Sequence, residues 1–207
     1  MKTTIEKSKL IPFALVITLA GMLCMSGCAR YARSVNTHYE PSATVRSGSG
    51  EVYIVIPENQ QTQSANIKWV VGKVKDDDNN TIDEVSSPRS PAEIIQDALG
   101  LEFKNAGFTV INATKRPTGE KRVIDLTKSE IDLEQITDLA YIKSKCRLLM
   151  GVDVFKNGQQ IKRLQYESTS SKTDVKDRDL LARKVLEDAL QSVMLKAFPE
   201  LSGLFDR

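Results

Sequence analysis

Residues 25–28, Met-Ser-Gly-Cys, put a thiol directly behind two small residues, at the end of an apolar run that begins at Leu10. Lys2, Lys7 and Lys9 precede the run, so the segment has the charged start, apolar middle and small-residue exit of a secretory signal. A cysteine immediately after the exit changes the chemistry expected there. The pattern is that of a bacterial lipobox, in which the Cys28 thiol takes a diacylglyceryl group as a thioether. Signal peptidase II then cuts between Gly27 and Cys28, and the new amine is acylated. Cys28, carrying S-diacylglycerol and an N-acyl chain, becomes residue one of the mature chain. The run Leu10 to Met25 holds 16 residues, fewer than the roughly 20 that a spanning helix needs. The membrane is therefore an expected partner through a lipid anchor, not a span. A single acyl chain binds only marginally, whereas three make release negligible. Ala29 stands where an aspartate retains many such proteins in the inner membrane, which favours an outer-membrane address facing the periplasm.

Other reactive groups are sparse. Removing the three lysines and one glutamate of residues 1–27 leaves 26 basic and 26 acidic residues. A neutral chain without a basic run has no electrostatic footprint for nucleic acid. Cys24 leaves with the signal and Cys28 carries lipid, so Cys146 is the one thiol of the mature chain. It lies in an alternating segment and reads as a small buried apolar residue. His38 is the only histidine and falls in a polar tract. Serine–histidine–acid, cysteine–histidine and histidine-metal sites thus lack a member within the domain. Asp125, Glu130, Asp132 and Glu134 mostly alternate with apolar positions on one extended segment and read as a solvated strand face, not a glycosidase pair. Asp76, Asp77 and Asp78 do not make a calcium loop, because Thr81 and Ser87 occupy the positions of its turn glycine and bidentate glutamate. Trp69 and Tyr53 read as half-buried sheet residues. No catalytic residue, metal or other cofactor is expected.

The elements around these groups predict three stretches: residues 1–27 as signal, 28–50 as a flexible lipidated tether ending in Ser47-Gly48-Ser49-Gly50, and 51–207 as one periplasmic domain. Glu51 to Pro57 and Ile67 to Val74 read as strands, and Lys75 to Ser87 as a solvated loop. Ser90-Pro91-Ala92-Glu93 predicts a helix start with a capping box, and Gly107 its left-handed C-terminal cap. Phe108 to Ile111 turns into a strand. Val123 to Leu133 is extended, with a phase change that predicts a bulge near Thr127 or Lys128. Asn157-Gly158 predicts a two-residue hairpin, with Val154 opposite Ile161 and Asp153 opposite Lys162. Ser168 to Asp177 reads as loop. A last helix, capped by Asp177 or Asp179, carries the stripe Ala182, Val185, Leu186, Ala189, Leu190, Val193, Met194 and Ala197, and is expected to end at Pro199. The sum is an α+β fold: a mostly antiparallel sheet of five to six strands with two long helices on one face.

Several of these segments resemble the YajG family of uncharacterised bacterial lipoproteins. The resemblance runs through the lipobox at Cys28, Ile67-Lys68-Trp69-Val70-Val71-Gly72-Lys73-Val74-Lys75, Ser90 to Ile95, Glu102 to Val110 and the hairpin at Asn157-Gly158. It implies a compact α+β sandwich and brings no catalytic residue or ligand with it. Two functions follow as expectations. One is a non-catalytic module that docks an envelope protein partner; the other is a lipid or small-molecule carrier, or an auxiliary lipoprotein of envelope transport or lipopolysaccharide assembly. Oligomeric state is not legible in the sequence.

Overall fold

The computed structural model describes residues 34–42, 48–119, 121–138, 140–175 and 178–206. It has the α+β architecture expected, in the order β1 (Glu51–Val55), β2 (Trp69–Lys75), β3 (Thr81–Ser87), α1 (Pro91–Asn105), β4 (Thr109–Ala113), β5 (Arg122–Thr137), β6 (Ile142–Lys156), β7 (Gln159–Asp174) and α2 (Arg178–Asp206). The sheet has seven strands. The two longest ladders, β5–β6 and β6–β7, are antiparallel, whereas β1–β4, β1–β5 and β2–β5 are short parallel pairings. Both helices pack on one face, α1 over β1, β4 and β5, and α2 over β5, β6 and β7.

Local chemistry starts and stops α1 as read. Ser90 accepts from the Glu93 amide at 3.1 Å while Glu93 accepts from the Ser90 amide at 2.9 Å, a reciprocal cap that contributes about 1 kcal/mol. At the other end the Phe108 amide donates to Phe103 O and the Gly107 amide to Lys104 O. Gly107 has φ 104°, which only glycine adopts freely. The Phe103 and Phe108 rings meet edge-on at 5.3 Å, completing a Schellman motif.

Four expectations are corrected. Residues 81–87 form strand β3, not loop, because Val85 is fully buried and the turn before it is internally bonded: the Asn80 amide donates to Asp76 Oδ1 at 2.7 Å. Residues 168–174 continue β7 against β6; Ser168 and Ser170 lie under α2, with Ser168 Oγ donating to Ala189 O at 2.7 Å. The hairpin has φ 56° and 77° at Asn157 and Gly158 and pairs Lys156 with Gln159, but a shift after Phe155 sets Val154 opposite Lys162 and Asp153 opposite Arg163. The reward is a bidentate pair at 2.6 and 2.8 Å, stronger than a single charged contact. Lys162 and Tyr166 then reach Glu200 on α2 at 2.7 and 2.8 Å. Finally, α2 passes through Pro199 to Asp206. An interior proline costs about 3 kcal/mol, which burial of Leu201 and Phe205 at 0 and 1 % exposure offsets at about 1.5–3 kcal/mol each. Of the two residues expected to cap this helix, Asp179 lies inside its first turn and Asp177 lies outside the described residues.

The far face of the sheet is charged. Its apolar part is a small cluster of Val55, Val123 and Phe155 with Tyr53 and Ala113, roofed by Arg116 at 3.6 Å from the Phe155 ring and paired with Asp125 at 2.9 Å. Beyond it, Lys75–Glu134, Lys128–Glu130 and Arg147–Glu167 pair on the surface.

β2 and β5 approach so closely that a methyl group on Gly72 would lie 2.0 Å from Leu133 O. Gly72→Ala is expected to destabilise the domain by about 3 kcal/mol or more, read as a fall in the urea midpoint. Burial pushes the Glu93 carboxyl up, but hydrogen bonds from Thr62 and Ser90 outweigh it and hold it below the usual 4.5. A depressed folded value means the stabilisation is complete above that pH and drains as pH falls through the folded value. The urea midpoint should therefore decline in acid, and less steeply in Glu93→Gln.

Candidate functional site

Gly27 and Cys28 lie outside the described residues. The structure does show how residues 34–42 join the rest of the domain. Ser34 forms a parallel bridge with Ser86 on the outer edge of β3, and the Val35 amide donates to Ser86 O at 2.8 Å. Val35 is 2 % exposed and Tyr39 8 %. Between them the His38 amide donates to Glu187 Oε1 on α2 at 3.2 Å. The strap formed by residues 34–42 ends at Glu102 of α1, whose Oε1 accepts from the Tyr39 hydroxyl and from the amide and hydroxyl of Ser42, the last two at 2.9 and 2.8 Å.

Glu102 is 0 % exposed. It falls one turn after Ala98 and Leu99, so the helix directs it into the core, where an unbonded carboxyl group would cost several kcal/mol. Strap donors meet that need. Burial, and then Glu102 beside it, push the Tyr39 phenol far above its usual value, so the proton that bonds Glu102 stays in place. The flexible tether expected from 28 to 50 is therefore corrected at residues 34–42 and 48–50; residues 28–33 and 43–47 lie outside the described residues. Residues 34–42 are docked, and the glycines after them serve close approach: Gly48 N donates to Ala106 O at 2.9 Å, and a methyl on Gly48 would strike the Phe108 ring. Arg122 Nη1 donates to Ser49 O at 2.6 Å and Thr109 N to Gly50 O at 2.9 Å.

Two open, polar clefts flank His38 between strap and α2. One, of about 380 Å³, is lined by Tyr39, Glu40, Glu187, Asp188 and Gln191; the other, of about 370 Å³, runs from Ser34 to His38 against Asp179 and Arg183. His38 itself is exposed.

The remaining candidates lie apart. Cys146 is buried on β6, and burial, then the Asp132 charge, push its thiol up to about 12, which suppresses thiolate chemistry. Asp125 and Glu134 pair with Arg116 and Lys75, and Glu130 and Asp132 are exposed. Trp69 Nε1 donates to Thr62 Oγ1 at 2.9 Å and Tyr53 OH to Glu51 at 3.2 Å, both half-buried in the sheet as read. Among the described residues no group of three His, Cys, Asp or Glu side chains is placed to hold a metal ion, and no helix is long and apolar enough to cross a membrane. The sequence signal for Glu102 was its place in the apolar stripe of α1; for the strap it was Val35 and Tyr39, one helical turn apart in number but not on a helix.

No family profile matches the chain, and no curated protein matches it. Solved structures with a related outline include a Xanthomonas campestris protein of the DUF330 family, at 12 % identity and TM-score 0.47, covering 84 % of this chain and 97 % of that one. A neuraminyllactose-binding hemagglutinin homolog from Helicobacter pylori gives 16 % and 0.45, covering 82 % and 92 %. A minor lipoprotein from Acinetobacter baumannii gives 10 % and 0.35, covering 60 % and 87 %.

Tyr39→Phe removes one donor from buried Glu102 and is expected to cost about 1–2 kcal/mol. Hydrogen exchange should quicken at the Val35 and Ser42 amides and stay unchanged along β6.

Proposed function

We propose that the protein is an outer-membrane lipoprotein, anchored through lipid on Cys28 and facing the periplasm, that acts without catalysis by docking an envelope protein. The observation that carries this reading is the Met25-Ser26-Gly27-Cys28 sequence at the end of an apolar run too short to span. The strap supports it: the chain that follows the anchor is fastened to both helices and to the edge of β3, so a pull on the anchor is borne by the folded domain. The YajG-like motifs agree with it, since Gly72, the Ser90 cap and Gly107 each do structural work and leave surface residues to make contacts. The carrier alternative calls for an apolar cavity between helices and sheet. That space holds Phe103 against Phe108, Phe198 and Phe205, with ring centroids 5.2 to 6.1 Å apart, and the clefts at His38 are polar.

The test is Cys28→Ala expressed in the native host behind a conventional cleavable secretory signal in place of residues 1–27, followed by membrane fractionation and in vivo crosslinking. The variant should fold normally by circular dichroism, leave the membrane fraction and lose its crosslinked envelope partner. A Cys28→Ala protein that stays with membranes and captures the same partner would overturn the proposal.

A further inference from the structure

We infer that the end of the domain carrying Ile82, Tyr141 and Val175 rests against the lipid bilayer; this builds on the Cys28 anchor and specifies the orientation it imposes. The parallel bridge of Ser34 with Ser86 sets the direction of the strap: it runs with β3, so its N-terminal end at Ser34 points back toward Thr81, where β3 begins. Strand registers place three connections at that same end. Lys75 lies beside Ile136, Thr137 beside Ile142, and Ile142 beside Asp174. The β2–β3 turn, the β5–β6 turn and the passage from β7 to α2 are therefore neighbours.

Length bounds how far the anchor can lie from Ser34, and the direction of the strap selects the Thr81 end. Cys28 precedes Ser34 by six residues, and six residues extend to about 20 Å. From Ser86 back to Thr81 is five residues of strand, about 17 Å. The Asn157-Gly158 hairpin lies at the far end of the 15-residue β6, which spans about 50 Å. The anchor reaches the near end and falls short of the hairpin.

The near end has a surface suited to a lipid headgroup layer. Tyr141 and Ile82 are each 44 % exposed and Val175 70 %. They stand at three separate connections of this end, and an exposed tyrosine with exposed aliphatic residues is the kind of side-chain set that settles at a membrane interface. The exposed Asp77 and Asp78 of the β2–β3 turn share this end, so the surface fits a zwitterionic leaflet better than a strongly anionic one.

The experiment uses the full lipidated protein reconstituted in phosphatidylcholine–phosphatidylethanolamine vesicles that contain an acceptor-dye lipid. A donor dye is placed on Val175→Cys or on Gln159→Cys, both exposed positions; Cys28 is blocked by its thioether and Cys146 is buried. Energy transfer to the membrane should be several-fold stronger from position 175 than from position 159. Equal or reversed transfer on floated vesicles, as when the domain lies flat or this end is reserved for a protein, overturns the orientation. Protein that fails to float overturns the anchor, and the orientation with it.

Discussion

One inserted residue, Thr127, keeps both halves of β5 facing the same core. Side chains along a strand alternate, so a shift of one position exchanges its two faces. Ile124 and Leu126 point under the helices before the bulge, and Ile131 and Leu133 do so after it. Without the extra residue one half of the strand would turn its apolar side chains to water. Every other strand depends on that solution. β6 takes the whole of one edge of β5, while β1 and β2 divide the other, and β4, β3 and β7 attach through these three. Both of the strands that share that edge run parallel to β5.

The same economy shapes the outer edges. β3 would present unpaired backbone groups to solvent, a risk for edge-to-edge association, and the bridge from Ser34 and Val35 occupies part of it. β7 is long and open on one side, and it carries Lys162, Arg163 and Lys172 with a run of serines and threonines, a composition that discourages another strand from adding. Glu102 sits where these arrangements meet. A carboxyl group inside α1's apolar stripe is expensive alone and tolerable only with donors from elsewhere, so strap, helix and sheet edge are stable as a set.

Much of this was legible in residue order. The capping box at Ser90, the Gly107 cap, the Thr127 bulge, the Asn157-Gly158 turn and the Ala182 to Ala197 stripe are local patterns, and local patterns survive folding. What escaped depended on distant partners. β3 and the end of β7 look like loops until a neighbour supplies their hydrogen bonds. Pro199 looks like a stop until Leu201 and Phe205 find the core. The strap looks like linker because its composition is polar, and two residues, Val35 and Tyr39, decide otherwise. The hairpin register slipped by one because Arg163 makes a better partner for Asp153 than Lys162 does.

The strap also has a history within a single molecule. Chains are made from the N terminus at roughly 5–20 residues per second, and Tyr39 precedes Glu102 by 63 positions, an interval of about 3–12 s. Ser34 likewise waits for Ser86. During that interval residues 34–42 have no partner to dock on. Once α1 and β3 are complete the strap can close on Ser86 and Glu102. Docking thus follows chain order, and a segment made early waits for partners made later.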